Sequence, residues 1–174
     1  TNVDPGTPAD LFFNGFVEIG GAANPGLPGI RASANTKLIL IFENLDPTKR
    51  YSFRGTVARG GNYNDRWSVF GITGADSYVA AHVDGSPDKN LFTLATFSAG
   101  TLQTNQVALN TGDNKEGSLV GWDNIEPGAD GTFSIEAQQY VGPAPFGNPS
   151  AAAYGYGLNA IYLAELQATG NLRI

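Results

Sequence analysis

The chain has 174 residues, a net charge of −6 and a pI near 4.6, with 15% of residues charged, 41% hydrophobic and 11% aromatic. That size and balance fit one globular domain with a real core, read as residues 1–174, and exclude a disordered chain. The acidity excludes general affinity for nucleic acid or an anionic membrane. No apolar run approaches the roughly 18 to 20 residues of a spanning helix, so membrane insertion is not expected.

In chain order, period-two segments dominate. Strands are predicted over 11–19, 37–44, 51–59, 66–73, 76–83, 90–98, 104–110, 118–124, 132–140 and 158–167. In "YSFRGTV" the apolar Tyr51, Phe53 and Val57 alternate with Ser52, Arg54 and Thr56, as a strand with one buried face requires. "TFSIEA" repeats the pattern with Phe133, Ile135 and Ala137. The joints carry turn chemistry: Asp-Pro in "NLDPTKRY", then Pro-Gly and Asp-Gly in "EPGADGTF". "LNAIYLAELQA" also has helix-favouring residues, but it is read as a strand among strands. About ten strands with regular turns make an all-β sandwich of jelly-roll type. Two segments, 20–36 and 141–157, are rich in Gly, Pro and Ala and lack strand period. Loops this long in a compact domain carry function or move.

Zero cysteine excludes disulfides, thiolate metal sites and thiol catalysis. The sequence also lacks methionine and shows no signal peptide, so the expectation is a chain processed or excised from a larger secreted protein. Five of the ten basic residues (Lys49, Arg50, Arg54, Arg59, Arg66) crowd into 18 positions and are read as solvated strand-face charges.

The order "LDPTKRYSFRGTVARGG…DRWSVFGITG", "NQVALNTGDN", "GSLVGWDNIEPGADGTFSIEA" and "YGLNAIYLAELQ" resembles extracellular bacterial galactose-binding-like jelly-roll modules, which accompany polysaccharide-degrading enzymes and esterases. The resemblance covers roughly residues 44 to 167. Phe70 stands where that pattern has tyrosine, and 141–157 looks like an insertion. The resemblance implies a carbohydrate-binding or ancillary role.

The stretch "RGGNYNDRW" has the groups a sugar site needs, namely aromatic faces for C–H stacking with amides, a carboxylate and guanidinium groups for hydroxyls. Arg59 and Arg66 are expected to bond hydroxyls or a uronate carboxylate, Asn62 and Asp65 to orient the sugar, and Tyr63 and Trp67 to stack. Tyr154 and Tyr156 join them from the long loop. The plain readings are that Trp67 is core, that Arg66 pairs with Asp65, and that the two tyrosines form a lid. Trp122 is read as core. Glu18, Asp46, Glu165 and loop 84–90 are candidates for a structural Ca²⁺, although Lys89 and Ala95 break the helix–loop–helix calcium pattern. No enzyme is expected: His82 has no serine-nucleophile context and no strand aligns several carboxylates. The reading is therefore a secreted, non-catalytic module for a polysaccharide or oligosaccharide. The alternative is a structural or adhesive module that binds protein or self-associates.

Overall fold

A computed structural model describes residues 3–13, 31–57, 62–85 and 90–166. The element order is α1 (Pro8–Phe13), β1 (Arg31–Ala32), β2 (Leu38–Phe42), β3 (Arg50–Thr56), β4 (Trp67–Thr73), β5 (Ala75–Ala80), β6 (Leu91–Phe92), β7 (Gln106–Asn110), β8 (Val120–Pro127), β9 (Phe133–Gln139), β10 (Gly155–Tyr156) and β11 (Ala160–Leu166). One sheet runs β2-β9-β4-β7-β6, the other β11-β3-β8-β5, and β1 pairs with β10 in a short ribbon. Every ladder is antiparallel. From β2 to β5 successive strands alternate between the sheets, as do β7, β8, β9 and β11, so the inner faces of both sheets close over one core.

That core is built by the alternation itself. Phe70 and Ile72 of β4, Val107 and Leu109 of β7, and Phe133 and Ile135 of β9 meet Phe53 of β3 and Val120, Trp122 and Ile125 of β8. Phe42 stacks on Phe133 at 4.8 Å between ring centroids and meets Phe53 edge-on at 5.7 Å. The outer face of the four-stranded sheet is charged and internally paired: Lys49–Glu165, Arg50–Glu126 and Arg54–Asp123. Of the clustered basic residues, Lys49 and Arg50 are solvated charges with partners, as expected, whereas Arg54 is largely buried in its pair with Asp123.

The predicted elements need three corrections. Residues 11–13 are helical, because Pro8 sits in the first turn and the Asp10 carboxylate accepts the Gly6 N–H at 2.9 Å, an N-terminal arrangement that a strand cannot use; 14–19 lie outside the described residues. Only Leu91–Phe92 of 90–98 is strand. There the Thr93 carbonyl accepts from the N–H groups of Thr96 and Phe97, and the chain turns. The two segments read as loops each supply one strand of the β1–β10 ribbon, so they meet each other.

Candidate functional site

The hub of the site is Arg66, at the entry to β4. Its carbonyl accepts the N–H groups of Thr111 and Gly112 at 2.8 and 3.1 Å, which fixes the 62–66 turn onto the end of β7. β10 is locked beside it. Ser68 Oγ donates to the Tyr156 carbonyl at 2.8 Å, and Tyr156 N donates to Thr111 Oγ1 at 3.0 Å. Two glycines make this approach possible. A Cβ on Gly155 would lie 2.1 Å from Ser68 Oγ, and one on Gly147, which has φ +74°, would lie 2.0 Å from the Asn64 carbonyl oxygen.

With the backbone held, the side chains alternate cation and ring. The Arg66 guanidinium lies 3.6 Å over the Tyr63 ring centroid and 5.1 Å from that of Tyr154. Arg31, from β1, lies 4.3 Å over Tyr154. Arg66 Nη1 donates to Tyr156 Oη at 2.6 Å, and the Tyr154 and Tyr156 rings meet edge-on at 5.5 Å. Cation–ring distances under about 6 Å are attractive. Tyr63 is 41% exposed, Arg31 and Asn62 are exposed, and Arg66, Asp65 and Tyr154 are half-buried, so this chain of groups forms a surface rim. Among the described residues, Arg31 and Arg66 are the guanidinium groups with no carboxylate partner, whereas Arg50 and Arg54 each have one.

The rim therefore brings together Tyr63, Arg66 and Tyr154 of the expected residues, with Asn62 and Asp65 on the same turn. Arg59 lies outside the described residues. Arg66 uses Tyr63 and Tyr156 rather than an Asp65 ion pair. Two expectations are corrected. Trp67 cannot stack on a ligand, because it is fully buried. It does occupy the face of β4 opposite Phe70, but residues 140–146 cross that face and Phe146 and Phe92 pack on the indole at 5.2 and 5.3 Å. Its Nε1 donates to the Asn64 carbonyl at 2.9 Å, so the indole holds the rim from beneath. Tyr156 is also buried, with its ring in the inter-sheet core and its hydroxyl tied to Arg66. Arg31 was missed by the sequence reading. It stands in a Gly/Pro/Ala-rich segment, and its partner Tyr154 comes from the other end of the chain.

A cavity of about 340 Å³ is lined by Asn90, Asn110, Asp113, Glu116, Pro145 and Phe146. Burial pushes the Asp113 carboxyl above its usual range, and its buried Oδ1 has no hydrogen-bond partner among the described residues. This is the acidic counterpart of the rim. Among the described residues the calcium candidates do not assemble into a donor set. Asp46 Oδ1 caps its own turn by accepting from Thr48, and Glu165 is paired with Lys49. Asn90 is buried and bonded to Ser118 and Asn114; Glu18 and residues 86–89 lie outside the described residues. Among the described residues no three His, Cys, Asp or Glu side chains converge.

His82 packs edge-on against Trp122 at 5.1 Å, and its Nδ1 accepts the Gly121 N–H at 3.3 Å. Burial, helped by the nearby Arg54 charge, lowers its pKa from 6.5 to about 4, so the imidazole is neutral at pH 7. Ser52 Oγ donates to Asp123, which also holds Arg54 in a two-point pair at 3.0 and 2.8 Å.

Fold and rim together define an antiparallel β-sandwich that presents a tyrosine–arginine surface at one end. No helix among the described residues is long and apolar enough to cross a membrane. No family model, curated protein or solved structure matches the chain, so function is argued from this geometry.

Proposed function

We propose that this chain is a non-catalytic carbohydrate-binding module of a secreted protein, and that it takes an acidic glycan at the Tyr63–Arg66–Tyr154–Arg31 rim. The observation that carries the reading is the pair of guanidinium groups held on tyrosine rings at the surface, neither paired with a carboxylate among the described residues, on a chain of net charge −6. Guanidinium groups oriented by ring contact have N–H donors left for a uronate carboxylate or for vicinal hydroxyls. The exposed tyrosine and the Asn62 amide supply stacking and hydrogen bonds. A jelly-roll ancestry of the galactose-binding-like type belongs to the same proposal. It is supported by the orders β2-β9-β4-β7 and β3-β8-β5, in which late strands insert between early ones as two Greek keys require.

The test is a calorimetric titration with uronate-containing and neutral oligosaccharides, each with and without Ca²⁺. The calcium arm covers a structural ion in the 84–90 region. Saturable binding to a uronate glycan is expected, weakened at least about tenfold by Arg31→Ala and by Tyr63→Ala and reduced by salt. Trp67, bonded to the rim backbone, serves as the fluorescence reporter. No saturable binding across the panel, or binding indifferent to both substitutions, would sink the reading.

A further inference from the structure

β2 is the edge of the five-stranded sheet, and among the described residues it ladders only with β9. Its sequence, "LILIF", is apolar on both faces. Lys37, Ile39, Ile41 and Glu43 share the outer face, and Leu38, Leu40 and Phe42 the inner. Ile39 and Ile41 are 54% and 56% exposed. The inner row is only half-buried, because it opens into a cleft of about 390 Å³ lined by Leu38, Leu40, Ile135, Ala137, Leu158 and Ile161. The neighbouring strand β9 behaves differently, with Ser134, Glu136 and Gln138 outward and apolar residues inward. Edges that face water are normally blunted by charge, proline or a bulge within the strand. β2 has none of these over five residues.

We propose that β2 pairs antiparallel with β2 of a second copy about a two-fold axis at Leu40, joining the two five-stranded sheets into one. This goes beyond the glycan reading and stands independently of it. The charges at the ends of the strand select the register. Around Leu40, Leu38 faces Phe42, Ile39 faces Ile41, and Lys37 faces Glu43, each twice by symmetry. A slip by two positions sets an isoleucine against Lys37 or Glu43, and a parallel arrangement sets Lys37 beside Lys37. Glu43 is exposed and makes no ion pair among the described residues; Lys37 bonds Glu136 at 2.6 Å and has further donors to offer. The pairing covers both isoleucines. It also sets the partner's inner row beside the open cleft, so one event buries what each copy leaves wet.

The experiment uses the full chain. Light scattering on a dilution series is expected to show a dimer at tens of micromolar, weakened roughly tenfold by Glu43→Lys and abolished by Ile41→Lys. Because the chain has no cysteine, Leu40→Cys supplies a single thiol that meets its own copy across the axis and forms a disulfide-linked dimer on mild oxidation. Ser77→Cys, on β5 at an edge of the four-stranded sheet, does not. A chain that stays monomeric throughout, or a dimer unmoved by Glu43→Lys and Ile41→Lys, overturns the proposal.

Discussion

Trp67 and Trp122 are both fully buried, and what buries them is different. Trp122 lies between the sheets with Phe53, and nearly all of its cover comes from alternating strands. Trp67 lies on the outside of the five-stranded sheet, in a second cluster with Phe92, Leu102, Ala108 and Tyr140, roofed by Ala144 and Phe146. The first core follows from strand periodicity. The second exists because a loop has been laid over a sheet face and tied down, with Tyr140 Oη donating to the Pro143 carbonyl at 2.6 Å. The tyrosine–arginine rim rests on this second core, so its geometry depends on the less regular half of the molecule.

The largest effect expected is that of Trp122→Ala. Removing a tryptophan from a close-packed core costs about 3–5 kcal/mol, which consumes much of a typical domain's stability. Chemical denaturation should show cooperative unfolding moved to far lower denaturant. Phe146→Ala removes only part of the roof over Trp67 and should cost about 1–3 kcal/mol. Its signature is local: faster amide exchange over 140–147 and greater quencher access to Trp67, with Trp122 unaffected. If both tryptophans become accessible together, the two clusters are one cooperative unit and the distinction fails.

Acid separates the two regions more gently. His82 lies against Trp122, and its folded-state pKa of about 4 lies below the ordinary 6.5. Between those values the unfolded chain binds a proton that the fold refuses, so stability falls as pH drops from 6.5 and this contribution levels off below about 4. The loss is at most about 3 kcal/mol. Asp123 is held below its usual range, first by hydrogen bonding from Arg54, so its contribution is lost only as pH falls below the ordinary value of 3.8. Melting temperatures across pH 7 to 4 should therefore decline in the native chain and stay nearly flat in His82→Gln. An equal decline in both would remove His82 as the cause.

The sequence by itself determined the longer strands and the main core they build, but not the helix at Pro8–Phe13, the shortness of Leu91–Phe92 or the β1–β10 ribbon. Alternation in "YSFRGTV" and "TFSIEA" is a local property, and a strand with one buried face has few other ways to be written. It also pointed to the 62–66 turn and to Tyr154, because rings set among glycines, amides and guanidinium groups mark a surface more often than a core. Only the tertiary structure decided the rest. Whether Trp67 met solvent or a roof depended on where residues 140–146 came to lie, which no period in the neighbourhood of Trp67 records. Arg31 joined the rim because a two-residue ribbon brought β1 to β10, too short a pairing to leave a pattern. Tyr156 is buried while Tyr154 stays half-exposed, and Ser68 of β4 and Thr111, just past β7, hold the Tyr156 backbone in place. Local chemistry writes the strands, and long-range closure chooses which polar and aromatic groups finally share a surface.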